Sequence, residues 1–393
     1  MIKILFIHHA MGWGGAPGSM INLIKSLDRR KYEVNVLLLR HSVVADKLME
    51  NNIPYTVAQS TFYKKYYHYF IHTETGYVKW YQIFRFIRLA VAWLCSRYFF
   101  ASKELNRFSP DIIHLNSSVL TDWLKPSKER AKVILHIRES FRKGRIDILH
   151  YFFRNQMKKY ADRIIAISRD NANRIYLPDK TTVIYNYANI PENPPNVDSF
   201  YSKKFLYLGG AAEIKGFYTL VKALDYLNIG TTIYFGGNYD SPKQKSKFKS
   251  VIKRFLRYDK KKEKAIYKMR NHRNAVEIGL TYKISSYLDD VCCLISPFSK
   301  PHFSRPVIEA HLHRKPVIGS DVGGMDEIVA DGENGLLFKK EDAVELANSI
   351  NYIASHPEEA NRMGYNGYRV AIRKFTQENI KMVEAVYNEL INK

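Results

Sequence analysis

Short apolar runs alternate along this chain with segments whose apolar positions recur every three or four residues, the signatures of buried strands and of helices with one buried face. Lys3–Ile7 is the first such run. It leads through a glycine-rich turn (Gly12, Gly14, Gly15, Gly18) into a helical pattern carried by Met20, Leu23, Ile24 and Leu27. Val34–Leu39, Asp111–Leu115, Lys132–Ile137, Arg163–Ile167 and Thr182–Tyr185 read as further strands with helical segments between them. Strand and helix in strict alternation predict a parallel, doubly wound α/β sheet.

The segment Ile190–Val197 holds three prolines between two periodic regions and reads as a linker. After it the opening pattern recurs: strand Phe205–Leu208, turn Gly209–Gly210, helix Phe217–Leu224, then strands at Thr232–Phe235, Ala275–Ile278, Val291–Ile295 and Pro316–Ile318. The expected organisation is an amino-terminal Rossmann-like domain over residues 1–190, a linker over 191–198 and a second Rossmann-like domain over 199–375. A last helix in 376–393 is expected to pack back on the first domain. Two such halves imply a central cleft with ligands at the carboxyl ends of the strands.

The chain's 393 residues suffice for two cores, and its three cysteines fit a reducing compartment better than a disulfide framework. The first seven residues read as a strand rather than a signal sequence, and no run reaches the roughly 18 apolar residues of a spanning helix. These features point to a cytoplasmic protein, soluble or bound to a membrane surface. Sixty-one Lys and Arg against 38 Asp and Glu give +23, which favours anionic partners; a general compositional bias toward lysine is the alternative cause.

The richest stretch for chemistry is Arg305–Phe338. Glu309 lies one turn into a helix, a strand follows, and a Gly323–Gly324 turn opens another helix. A carboxylate there can accept hydrogen bonds from vicinal ribose hydroxyls, and glycines let backbone amides approach phosphate oxygens. A surface glutamate and a structural turn would leave the same pattern.

In this stretch and others the chain resembles glycosyltransferase family 4, retaining enzymes of the GT-B fold that use nucleotide-sugar donors. The matching pieces are Gly14-Gly15, Pro110–His114, Ala166–Ser168, Val183–Asn186, Lys215-Gly216 and Arg305–Phe338, with its ending Asp331–Phe338. The resemblance implies that Glu309 holds the donor ribose, Lys215 faces the diphosphate, and Gly14 and Gly15 let the phosphates approach. It also places His136 beside the donor sugar, and Gly279 and Leu280 beside the base. Lys215, His136 and Glu309 are the catalytic candidates. By itself a histidine closing an apolar strand, as His136 does, is more commonly structural. Asn116, Ser117 and Arg138 are candidates for the acceptor, although a polar loop would read the same way.

Two positions depart from the family pattern. Pro301 replaces its first glutamate and Gly210 its phosphate-binding arginine; Lys300, His302 and Arg305 are close enough in sequence to substitute. Negative charge grows on the departing diphosphate as the anomeric bond breaks, so a fixed cation and oriented amides lower the barrier. Asp289-Asp290 reads as the polar end of a helix, no Asp-x-Asp motif follows a strand, and no metal or other cofactor is expected.

Aromatic and basic residues mix over Ser60–Phe108, and Lys243–Arg273 holds fourteen Lys and Arg against two acids. Phe62–Phe70 and the basic run are candidates for an anionic membrane surface. Phe84–Trp93 reads either as an interfacial helix or as one packed in the core. The expected function is sugar transfer to a lipid-linked or glycan acceptor in bacterial cell-surface polysaccharide synthesis. A non-catalytic GT-B partner is one rival; a nucleic-acid-binding protein is another, but no nucleic-acid motif accompanies the charge.

Overall fold

A computed structural model describes residues 1–9, 12–79, 81–191, 196, 198–239, 258–281 and 283–392. Within them the chain divides into two compact units, one formed by Met1–Tyr187 with Gln377–Lys393 and the other by Ala188–Thr376. Most of the proline-rich linker, and the basic run as far as Arg257, fall outside the described residues.

The first unit is a seven-stranded parallel sheet in the order β3-β2-β1-β4-β5-β6-β7. Its strands are β1 (Ile2–His8), β2 (Tyr32–Leu38), β3 (Tyr55–Val57), β4 (Ile112–Leu115), β5 (Lys132–Ile137), β6 (Arg163–Ala166) and β7 (Thr181–Val183). Successive side chains of β1 point to opposite faces. Ile4 and Phe6 join Ile112, Ile134 and Ile165 in one apolar layer, while Leu5 and Ile7 join Ile113, Leu115 and Leu135 in the other. Both faces are covered, which is why these strands read as continuous apolar runs rather than alternating ones.

The C-terminal helix Asn379–Ile391 covers the first of those layers. Its Ile380, Val383, Val386, Tyr387 and Leu390 form one apolar stripe that is buried with β1 and the helix Gly15–Ser26. At its end Glu389 pairs with Arg163 of β6.

The second unit is a six-stranded parallel sheet in the order β10-β9-β8-β11-β12-β13. It comprises β8 (Lys204–Tyr207), β9 (Thr232–Gly236), β10 (Ala275–Gly279), β11 (Cys293–Ser296), β12 (Val317–Ser320) and β13 (Gly335–Phe338). The strands β3 and β13 go beyond the sequence expectation; each is short and at a sheet edge, where one neighbour suffices.

The structure corrects the reading of Phe62–Phe70 as a membrane-facing segment. Tyr63, Tyr67 and Phe70 are core residues. The Tyr67 hydroxyl donates to the buried Asp122 carboxylate at 2.8 Å, and Tyr63 bonds Ser96. The helix Ile83–Cys95 carries two apolar faces instead. Leu89, Ala92 and Trp93 enter the core, while Phe84 is 86% exposed and Ile87, Val91 and Leu94 stand out beside it. Among the described residues no helix is long and apolar enough to cross a membrane.

Candidate functional site

All strands of a parallel sheet end on one edge, and loops diverge to leave a crevice where the strand order reverses. That point falls between β8 and β11 in the second unit and between β1 and β4 in the first. The sequence candidates cluster around these two places.

In the second unit the loop after β8 carries Gly210, whose φ is +56° and whose absent Cβ would lie 2.9 Å from the Asn238 amide nitrogen. No side chain fits that backbone unstrained. Lys215 ends a single turn, Glu213–Lys215, and Gly216 follows at φ +74°. A Cβ on Gly216 would sit 1.7 Å from the Pro297 carbonyl oxygen, so the two loops of the switch point touch through a glycine. The Ser299 amide donates to the Ile214 carbonyl at 3.0 Å and fastens them.

Lys215 thus lies beside the loop after β11. Burial holds its ammonium pKa below the ordinary lysine value. Burial, with the Lys215 charge as a second cause, brings the His302 imidazole down to about 4. The His302 ring stacks on Phe298 at 4.0 Å, and its backbone amide donates to the Gly323 carbonyl at 3.0 Å. Gly324, at φ +87°, brings its own Cβ position to 3.3 Å from His302, pressing the turn after β12 against the same loop; the residues that follow it form turns as far as Ile328 and not the expected helix.

The helix Arg305–Leu312 leaves this loop with a proline in its first turn. Glu309 is one turn in, and its Oε1 accepts from Arg305 Nε at 2.9 Å. Its Oε2 is enclosed without a protein partner among the described residues. Burial raises the Glu309 pKa and Arg305 opposes the rise. A carboxylate held on one oxygen and unpartnered on the other has acceptor capacity for a hydroxyl-bearing ligand.

Lys215, His302, Gly323 and Gly324 are therefore brought together, with Arg305 and Glu309 on the helix that follows. Pro301 sits in the same loop, partly buried. Gly279 ends β10, two strands away; its carbonyl accepts from the Gly237 amide at 2.7 Å, and Leu280 beyond it is 66% exposed. Asp289 bonds His313 and Asp290 bonds Lys204. Among the described residues no three His, Cys, Asp or Glu side chains group as metal ligands.

The first unit's switch point is built differently. The buried Arg138 guanidinium donates from Nε to Asn116 Oδ1 at 2.6 Å and from Nη1 to Asn186 Oδ1 at 2.9 Å; its Nη2 is 3.4 Å from His136 Nδ1. Asn116 in turn meets His8 Nδ1 at 3.1 Å. His136 Nδ1 is also 3.0 Å from His114 Nε2, and His114 Nδ1 is 2.8 Å from the Tyr387 hydroxyl. Burial, opposed by Glu139 and Tyr387, brings Arg138 to about 10, so it stays charged at neutral pH. Burial also holds His8, His114 and His136 well below the ordinary histidine value, so all three are neutral.

Asn116, His136 and Arg138 are brought together. Ser117 is turned inward: fully buried, its hydroxyl donates to Glu139 at 2.8 Å and accepts from the Val119 amide at 3.0 Å, a capping role rather than an open contact for an acceptor. At Gly14 and Gly15, at the start of the helix Gly15–Ser26, an added Cβ would meet nothing within 4 Å among the described residues. Sequence reading missed His8, His114, Asn186 and Tyr387 as members of this network. The signal available was a polar residue at the end of each of several apolar strands.

Two family models match consecutive parts of the chain: Glycosyltransferase Family 4 over residues 13–190 and Glycosyl transferases group 1 over residues 199–370. The chain belongs to the family 4 glycosyltransferases. An uncharacterized glycosyltransferase of Methanocaldococcus jannaschii is 27% identical over 250 residues, 61% of this chain and 63% of that protein. The MMP alpha-(1->4)-mannosyltransferase of Mycolicibacterium hassiacum is 32% identical over 104 residues, 26% of this chain and 25% of that one. The chain thus spans less than two thirds of the length of these curated relatives. Among solved structures, Anabaena HepE in complex with UDP superposes with a TM-score of 0.74 at 19% identity, covering 98% of this glycosyltransferase-family chain and 100% of HepE. TarM of S. aureus gives 0.72 at 13%, with both chains fully covered. These likenesses identify the GT-B fold.

Proposed function

We propose that this chain transfers a sugar from a nucleoside-diphosphate donor, bound at the switch point of the second unit, to a lipid-linked or glycan acceptor in bacterial cell-surface glycan synthesis. The observation that carries the reading is the convergence of Lys215, the Gly323–Gly324 turn and the half-engaged Glu309 carboxylate on one strand edge. A cation and backbone amides suit a diphosphate, and a carboxylate suits a ribose. HepE, which shares the fold, was solved with UDP and with UDP-glucose. A capsular polysaccharide glycosyltransferase of Staphylococcus aureus, 26% identical over 107 residues, supports the pathway.

In this reading Lys215 stabilises the charge that grows on the leaving diphosphate, which favours the transition state over the ground state. The reaction retains anomeric configuration and proceeds without a metal. Incubation with a panel of nucleotide sugars, with and without EDTA, tests it. Nucleoside diphosphate release that survives chelation supports the reading, and release restored only by added manganese or magnesium overturns the metal-free part.

A peripheral place on the inner membrane face is the companion reading, supported by the helix Ile83–Cys95. Phe84, Ile87, Val91 and Leu94 form an exposed apolar stripe flanked by exposed Arg85 and Arg88, with no carboxylate between Gly76 and Lys103. Apolar side chains beside cations suit an anionic bilayer surface. Sedimentation with anionic vesicles that is lost in Phe84→Glu/Val91→Glu supports it; unchanged sedimentation of the variant counts against it.

A further inference from the structure

The bonds around His136 admit one consistent assignment of protons. A guanidinium has donors and no acceptor. Arg138 therefore donates to Asn116 Oδ1 and Asn186 Oδ1, and its third contact requires His136 Nδ1 to be an acceptor. With Nδ1 unprotonated, neutral His136 carries its proton on Nε2. His114 Nε2, 3.0 Å from that Nδ1, must then be the closer donor to a lone pair it shares with the longer Arg138 contact, leaving His114 Nδ1 to accept from the Tyr387 hydroxyl at 2.8 Å. The reverse polarity would set an N–H of His136 against an N–H of Arg138.

At the far end of this chain, His136 Nε2 is buried and has no partner in the protein among the described residues. The residue lines one pocket with Arg138, Asn186 and Ser19, closed by Asn379 and Ile380 of the C-terminal helix.

We infer that Tyr387, acting through His114, is a positioning residue that holds His136 as an Nε2–H donor toward a substrate oxygen, so that His136 serves as a hydrogen-bond donor and not as a base. The substrate side of this inference rests on the proposed sugar transfer; the tautomer does not. The helix that carries Tyr387 follows the second unit in sequence yet belongs to the first. The chain's last segment thus supports, through His114, the polarity that Arg138 imposes on His136. The Tyr387 hydroxyl reaches the site only through two imidazoles, and its pKa, raised well above the ordinary value by burial, keeps it a donor.

Imidazole 1H–15N correlation spectra of 15N-histidine-labelled full-length protein, assigned with His136→Gln and His114→Asn, test the tautomers without any substrate. The expected result is His136 protonated at Nε2 with Nδ1 bare, and a shift of the His114 signals in Tyr387→Phe. In turnover, Tyr387→Phe should lower kcat about fivefold to tenfold with little change in KM, the size of one buried hydrogen bond. His136→Gln, which keeps an N–H donor but cannot act as a base, should retain activity within about tenfold, and His136→Ala should lose about a hundredfold. A wild-type spectrum with His136 protonated at Nδ1, or a Gln variant as inactive as Ala, overturns the inference. If no donor is turned over at all, the sugar-transfer reading fails while the wild-type spectrum still decides the tautomer.

Discussion

The two switch points hold polar side chains to opposite ends. In the first unit Arg138, Asn116, Asn186, His136 and His114 bind one another, and most of their hydrogen-bonding capacity is used inside the protein. In the second unit the crevice is shaped by backbone, with Gly210, Gly216 and Gly324 at positive φ, and its charged groups are under-engaged: Glu309 Oε2 has no partner among the described residues and Lys215 is held below its ordinary pKa by burial. A network that satisfies most of its own groups, leaving His136 Nε2 toward a ligand, makes a rigid wall whose loss is felt mainly by the fold. Groups left with unused capacity await a ligand, and their loss is felt by function.

Removing the hub of the first network should therefore have the largest effect. Arg138→Met leaves the Asn116 and Asn186 side-chain oxygens without their donor and opens a gap among buried groups, and should cost about 3 to 5 kcal/mol of stability, read from urea midpoints. A loss below about 1 kcal/mol would erase the contrast between the units. Lys215→Ala should do the reverse, leaving the midpoint nearly unchanged while turnover falls about a hundredfold to a thousandfold. A matched loss of stability would make Lys215 a structural lysine. Glu309→Ala should weaken donor binding by about 2 to 4 kcal/mol in calorimetry, with kcat at saturating donor less affected. Because burial raises the Glu309 pKa, binding should also begin to weaken on acidification at a higher pH than an ordinary carboxylate would give.

The smallest effect is a pH dependence in the first unit's core. Burial raises Asp122 to about 6, so between about 4 and 6 the folded state binds more protons than the unfolded one. Stability contributed by this group accordingly falls as pH rises through that window. Asp122→Asn should be more stable than wild type by about 1 to 3 kcal/mol at pH 7, with the gap closing below about pH 4. A gap of equal size at both pH values would rule out titration of Asp122 as its cause.

Much of the fold was legible because both faces of each sheet are buried, so strands such as Lys132–Ile137 stand out as apolar runs. The second unit's candidates were legible for a related reason: Gly216 and Gly324 mark places where backbone passes backbone, and Glu309 sits one turn into the helix that leaves the same loop. The first unit's network was not, because it joins positions 8, 114, 116, 136, 138, 186 and 387, which lie on several strands, loops and the last helix and form no single motif. Phe62–Phe70 shows how composition misleads. Its aromatic and basic content suggests an interface, yet Tyr63, Tyr67 and Phe70 recur at helical spacing and go to the core. The helix Ile83–Cys95 has apolar residues on two faces, and only packing reveals which face the core takes.

The most direct test of sugar transfer at the second unit's edge is donor titration followed by turnover on the same preparations of wild type, Lys215→Ala and Glu309→Ala, with UDP-sugars first. Wild type is expected to bind the donor and release UDP, Glu309→Ala to lose mainly binding, and Lys215→Ala to bind but turn over about a hundredfold more slowly. Wild-type binding without release from any nucleotide sugar or acceptor fraction, with Lys215→Ala altering affinity alone, would contradict it and favour a non-catalytic nucleotide-binding partner.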